Sequence, residues 1–130
     1  MKFENKINVP KFPKDIEITK LLGSIGLHNK FLSKKNGNVL GPNFKKLFFL
    51  YKLTTLNKRL TALEFGSGWS TLILSLALGI NLKKYKNNTI NLKNDKFEIF
   101  SLDNSKKYLN ISKKRLSFFK NKPSAKVNFF

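Results

Sequence analysis

TALEFGSGWST, Thr61 to Thr71, changes character twice within a few residues. Leu60 to Phe65 is a short run, apolar on consecutive positions, with Glu64 near its end and the polar Asn57-Lys58-Arg59 before it. Such a run fits a β-strand inside a parallel sheet, where both faces are covered. Gly66-Ser67-Gly68 supplies a turn. Glycine there can take positive φ and lets a backbone approach a ligand that any Cβ would push away. Ser70 to Leu78 is dense in apolar residues and reads as a helix, with Gly79 near its C-terminus. Ser67 and Ser70 can cap its free N–H groups.

Working outward, Asn81 to Asp95 is polar, and Tyr85, Ile90 and Leu92 are its substantial apolar members, so it reads as an inserted loop or a weak hairpin. Phe97 to Leu102 (FEIFSL) is a second strand. Asp103-Asn104-Ser105 caps a following helix whose buried side is expected to hold Tyr108, Leu109, Ile111, Leu116 and Phe119. Pro123 breaks the chain, and Lys126 to Phe130 starts a third strand. Strand, helix, strand, helix, strand predicts an α/β fold, a Rossmann-like, doubly wound parallel sheet with right-handed crossovers.

Upstream, Gly41-Pro42-Asn43 marks the start of a helix running to about Leu56. Phe44, Leu47, Phe48, Tyr51 and Thr55 trace one face of it, widened by Leu50, Leu53 and Leu56. A shorter amphipathic helix is expected over Asp15 to Leu27, with Ile18, Leu21, Leu22 and Ile25 on one side. Residues 1–14, with Pro10 and Pro13, read as an extended arm, and His28 to Gly41 as a loop. Two helices thus precede the sheet. Residues 1–57 form an arm and helical segment, and residues 58–130 a Rossmann-like ligand-binding part.

Composition narrows the chemistry. There are no cysteines, which removes disulfides, thiolate metal sites and Cys nucleophiles, and His28 is the single histidine, so no metal site is expected. The longest apolar-rich run, Thr71 to Ile80, is too short to span a bilayer, which takes about 18 residues. MKFENKINVPKF lacks the apolar core of a secretory signal, and a cytoplasmic location is the default expectation. Lys+Arg number 26 against 7 acids, a formal +19, and such a balance points to nucleic acid. The excess is nearly all lysine, with only Arg59 and Arg115, and it is spread along a chain rich in Asn, Ile and Phe. An AT-rich coding bias would supply the same residues, so the charge decides nothing alone.

In a parallel βαβ unit, ligands bind beyond the carboxyl ends of the strands, where helix N-termini point. Glu64-Phe65-Gly66-Ser67-Gly68 falls at that place, and Asp103 falls at the end of the second strand, where an acid can accept from both ribose hydroxyls. A dinucleotide fingerprint needs a third Gly or Ala, and here that position is Thr71. The Gly-Lys-Ser/Thr of a P-loop and the G-x-S-x-G of a hydrolase elbow are both missing from the stretch. An acid ahead of the glycines would repel a pyrophosphate and suits a cationic or amine-bearing ligand.

At these residues the chain resembles the class I S-adenosylmethionine-dependent methyltransferases. Glu64-Phe65-Gly66-Ser67-Gly68 matches their E/D-x-G-x-G motif, Trp69-Ser70-Thr71-Leu72 continues it as in some uncharacterised members, and Asp103 in FSLDNS matches their second motif. The resemblance covers about Leu60 to Phe130. It implies S-adenosylmethionine as cofactor, with Glu64 and the Gly66 to Gly68 backbone on its methionine part and Asp103 on its ribose. The candidate contacts are Glu64, Phe65, Gly66, Ser67, Gly68, Trp69, Ser70, Thr71, Asp103 and Asn104. The separation of Glu64 and Asp103 exceeds the ~20 residues usual between such a turn and its ribose acid, and the polar insert Asn81 to Asp95 would account for the excess.

That family's fold has seven strands and draws substrate-binding and catalytic residues from beyond the fourth, so none is named here. Without a fourth strand, Leu60 to Phe65 would present an open apolar edge, and a truncated or fragmentary methyltransferase is expected. Each residue also has a plainer reading. The glycines can make a tight turn without ligand, Glu64 can pair with a lysine, Asp103 can simply cap a helix, and Trp69 can simply pack. Two other functions compete: a basic nucleic-acid-binding module without enzymatic activity, and a dinucleotide-dependent enzyme, which Thr71 disfavours.

Overall fold

The computed structural model describes residues 43–85, 97–117 and 124–130. The helix expected over Asp15 to Leu27, the arm before it and the loop holding His28 lie outside the described residues, as do Phe119 and most of the expected insert. The elements are α1 (Phe44–Leu56), β1 (Thr61–Phe65), α2 (Trp69–Tyr85), β2 (Glu98–Leu102), α3 (Lys106–Ser117) and β3 (Lys126–Phe129). The three strands form one sheet in the order β1-β2-β3, and both pairings are parallel. The expected α/β alternation is therefore present.

Helix α1 begins where the sequence places it. Asn43 is its N-cap, and the side-chain oxygen accepts from the Lys46 amide at 3.1 Å. Its last turn closes with Lys58 at φ 50, the Arg59 amide donating to the Thr54 carbonyl and the Lys58 amide to that of Thr55. This is a Schellman closure with lysine where glycine is the usual choice. The buried line is Leu47, Tyr51 and Thr54, spaced four and three apart along the face that meets α2. Leu53 and Leu56, expected to widen that face, lie off the line and are largely exposed.

Helix α2 is longer than its sequence suggests. It continues through Gly79 and includes Asn81 to Tyr85, which read as the beginning of a polar insert. Packing overrides the local signal. Thr71 to Asn81 are all buried because α1, α3 and the sheet surround the helix. Asn81 sits in this interior because its amide group has work there, donating to the Arg59 carbonyl at 2.7 Å and the Thr54 carbonyl at 3.1 Å. It thereby ties α2 to the end of α1. Lys83 and Lys84 in the last turn suit the negative end of the helix dipole.

Two apolar clusters flank α2. Leu47, Tyr51, Leu72, Ile73, Leu76, Ala77 and Ile80 join it to α1, with Trp69 and Leu116 packed alongside. Leu74, Leu78, Ile99 and Ala125 join it to the sheet. In α3 the buried residues are Ile111, Ser112 and Arg115, whereas Tyr108, in the first turn, is 45 % exposed. Helices α2 and α3 touch each other, so both lie on one face of the sheet, as two right-handed crossovers taken in the same direction require.

Among the described residues nothing covers the other face. Alternate residues of β1, including Leu63 and Phe65, point away from the helices, beside Phe100, Leu102 and Phe130 of the neighbouring strands. Among the described residues β1 has a strand partner on one side only. The consecutive apolar run suggested a strand covered on both faces; among the described residues β1 is instead an edge strand with alternating exposure. No described helix is long and apolar enough to cross a membrane.

Candidate functional site

The carboxyl ends of all three strands are tied together. The Gly66 amide donates to the Leu102 carbonyl at 2.6 Å, extending the ladder one step past β1. The Asp103 amide donates to the Phe130 carbonyl at 3.0 Å, and the Phe130 amide to the Ser101 carbonyl at 2.9 Å. After β1 and β2 the chain turns toward a helix start, which makes the crevice where parallel sheets bind ligands.

Gly66 has φ +91, a conformation in which any Cβ is strained, so glycine is required at this corner. Gly68 does not take positive φ, and its value lies elsewhere. A Cβ built on either glycine meets no atom within 4 Å, so the loop backbone faces open space. Gly68 donates its amide to Thr71 Oγ1 at 3.0 Å, which gives Thr71 the capping role that the sequence suggested for Ser67 and Ser70.

Glu64 turns under this loop on the helix-covered face. Its carboxylate accepts from Ser70 Oγ at 2.7 Å, from Ser101 Oγ at 2.8 Å and from the Thr71 hydroxyl. Thr71 is therefore a relay: it accepts from the loop and donates to the acid. Both Glu64 oxygens are engaged by hydroxyls from β2 and the first turn of α2, where the helix dipole favours negative charge. In this geometry Glu64 holds the loop against the sheet. The plainer reading of Glu64 as a partner for lysine gives way to this hydroxyl cluster.

Asp103 stands at the tip of β2 and bridges two loops. Its Oδ2 accepts from the Ser67 amide at 2.8 Å and from Ser67 Oγ at 3.0 Å, while Oδ1 accepts from the Ser105 amide at 2.8 Å. The Ser105 amide is the main cause holding its carboxyl below the usual 3.8; partial burial opposes it, and the two Ser67 donors lower it further. Asp103 is thus an anion at neutral pH. Ser105, one residue before α3, receives the Leu109 amide on its carbonyl at 3.1 Å. The capping reading of Asp103 is met in part, through Ser105, but the bond to Ser67 joins residues 36 apart in sequence and has no capping purpose.

The remaining candidates divide by position. Phe65 carries its side chain on the open sheet face and is 81 % exposed, so only its backbone adjoins the crevice. Asn104 is exposed beside Asp103. Trp69 opens α2 and packs against the cluster shared with α1, and the Arg115 guanidinium lies 3.8 Å above its ring centroid. Arg115 itself is buried, and desolvation pulls its pKa down to about 10. In the sequence Arg115 is only one of two arginines among the basic residues, and this stacked pair was not foreseen. Its place four residues after Ile111, on the buried line of α3, was the available signal. Ser101 was also missed; it lies opposite Glu64 in the parallel register, which only the strand pairing reveals.

Among the described residues no group of three or more His, Cys, Asp or Glu could hold a metal ion. The Gly66, Ser67 and Gly68 amides all donate within the protein, so a polar ligand in this crevice would lie against the open glycine backbone and meet Asp103. No family model, no curated protein and no solved structure matches this chain.

Proposed function

We propose that the crevice between the β1–α2 and β2–α3 loops binds S-adenosylmethionine, and that the chain is a methyltransferase or the cofactor-binding part of one. The observation that carries the reading is the bridge from Asp103 to Ser67, which sets an acid at the second strand's tip against the glycine loop at the first. The Rossmann-like character of the sheet belongs to the same reading, supported by the parallel order and the helix after each of the first two strands.

The residues fit such a cofactor. Open space over Gly66 and Gly68 admits a ligand against the loop backbone. Asp103 offers a carboxylate, the acceptor chemistry a ribose diol needs. Glu64, occupied by three hydroxyls, would act by fixing the loop beneath the ligand. The cofactor would supply a methyl group on a sulfonium centre. This chain's residues would supply position: a loop backbone that permits close approach, an anion at the ribose, and a Trp69–Arg115 stack anchoring the start of α2.

Isothermal titration of the folded chain with S-adenosylhomocysteine tests the reading, with binding expected. Gly68→Ala is the informative variant. Gly68 does not take positive φ and has room for a methyl, so the fold should survive by circular dichroism while the methyl blocks close approach and most affinity is lost. Absence of heat from folded wild-type protein would sink the proposal.

A further inference from the structure

Asp103 is already heavily used by its own protein. An ionised carboxylate offers about four acceptor positions. Oδ2 takes two donors, the Ser67 amide and the Ser67 hydroxyl, and Oδ1 takes the Ser105 amide. One position is left on Oδ1. A ribose presents two adjacent hydroxyls, and a carboxylate that grips both must offer two acceptor positions.

The three resident donors differ in how readily they leave. Two are backbone amides fixed by the loops, and moving them means refolding the strand ends. The third is a serine hydroxyl, which leaves by a turn about χ1 and finds solvent nearby, because Ser67 is only partly buried. We infer that the Ser67 hydroxyl competes with a ribose diol for Oδ2 of Asp103, and so sets both the affinity of the crevice and its discrimination between diol and deoxy ligands. The inference rests on the reading that a ribose meets Asp103, and it adds a specificity-determining residue to that reading. Ser67 therefore acts as an internal surrogate for one ribose hydroxyl.

Two consequences separate this from a structural role. Removing the hydroxyl strengthens the binding of a ligand with both hydroxyls, whereas loss of a merely structural contact weakens it. The gain is confined to the diol, because a ligand with one hydroxyl is served by the free position on Oδ1.

The experiment titrates wild type, Ser67→Ala and Ser67→Thr with S-adenosylhomocysteine and with its 2′-deoxy analogue. Carbon-13 NMR of the Asp103 carboxyl follows the same three proteins over acidic pH. Ser67→Ala should bind the diol ligand about three- to tenfold tighter, a fraction of the strength of one charged hydrogen bond, because the released serine regains water. It should bind the deoxy ligand as wild type does, and its Asp103 should titrate higher, closer to 3.8, for want of one donor. Ser67→Thr keeps the hydroxyl and should behave as wild type. Unchanged or weaker diol binding by Ser67→Ala, equal gains for both ligands, or an unmoved Asp103 titration each overturns the competition. If no protein of the set binds either ligand while all are folded, the cofactor reading falls and takes the competition with it.

Discussion

The two faces of the sheet both mix polar and apolar residues, but they use them differently. The face under the helices carries Glu64 and Ser101 beside Ile99. The face with no described helix carries Leu63, Phe65, Phe100, Leu102 and Phe130, with the Phe100 and Phe130 rings stacked at 6.3 Å, beside the hydrogen-bonded Glu98 and Asn128. On the covered face polar groups anchor the loops beside Ile99, while Leu63, Phe65 and Phe130 on the other face are exposed and Phe100 and Leu102 partly so. Hydrophobicity along a strand therefore does not say which face is packed; the crossover direction does. Both helices go to one side because strands are added in one direction. The hydroxyl cluster around Glu64 is what makes burying a carboxylate there tolerable.

The largest expected contrast lies between Ile99 and everything on the open face. Ile99 is fully buried between α2 and the sheet. Ile99→Ala should cost about 3 kcal/mol, combining lost transfer energy with an unfilled cavity, read as a fall in the urea midpoint at unchanged slope. A cost below about 1 kcal/mol would mean that the helices do not close on the sheet at β2.

Much of this arrangement was legible because it rests on local chemistry. The strand, turn and helix around Gly66 follow from an apolar run, glycines and a dense apolar stretch, and the observed β1 and α2 begin within a residue or so of their expected starts. Asn43 announced α1 by a cap, a signal confined to a few residues. What the chain concealed depends on partners distant in sequence. Gly79 looked like a terminator, yet α2 continues because Asn81 finds carbonyls at the end of α1. Leu53 and Leu56 looked like core, yet the α2 contact selects the line through Leu47, Tyr51 and Thr54. At the site, the acids and glycines were visible as a pattern, but the direction each carboxylate takes was not. Glu64 turns toward Ser101 only because parallel pairing sets those residues opposite each other.

A middle-sized effect probes the polar half of the covered face. Glu64→Gln keeps the shape but replaces one acceptor oxygen by a donating amide NH2 and removes the charge, so one of the hydroxyls from Ser70, Thr71 or Ser101 loses its acceptor. A cost of about 1–2 kcal/mol follows, the range for a hydrogen bond to a charged group offset by some rearrangement. Amide exchange at Gly68, whose bond runs through Thr71 to this carboxylate, should accelerate more than exchange in α1. If Gly68 is unaffected, Glu64 does not hold the loop, and the covered face is no more specialised than the open one.

The smallest effect is expected where the residues look most important by hydrophobicity. Phe65 is 81 % exposed and Leu63 60 % exposed. An exposed side chain has little burial to lose, so Phe65→Ala should change stability by no more than about 0.5 kcal/mol. Leu63→Thr should behave alike, with threonine well suited to a strand. Both variants should also raise solubility, since an uncovered apolar strand edge promotes association. A large loss from Phe65→Ala would show that this face is packed in solution. The difference between Ile99 and Phe65 would then vanish, and with it the claim that the fold's stability is concentrated on the helical side. Because Phe65 is also the residue before Gly66, its backbone must stay in place for the crevice. A silent Phe65→Ala that leaves ligand affinity unchanged therefore separates the two contributions of one residue: the backbone serves the site, and the ring serves neither the core nor the crevice.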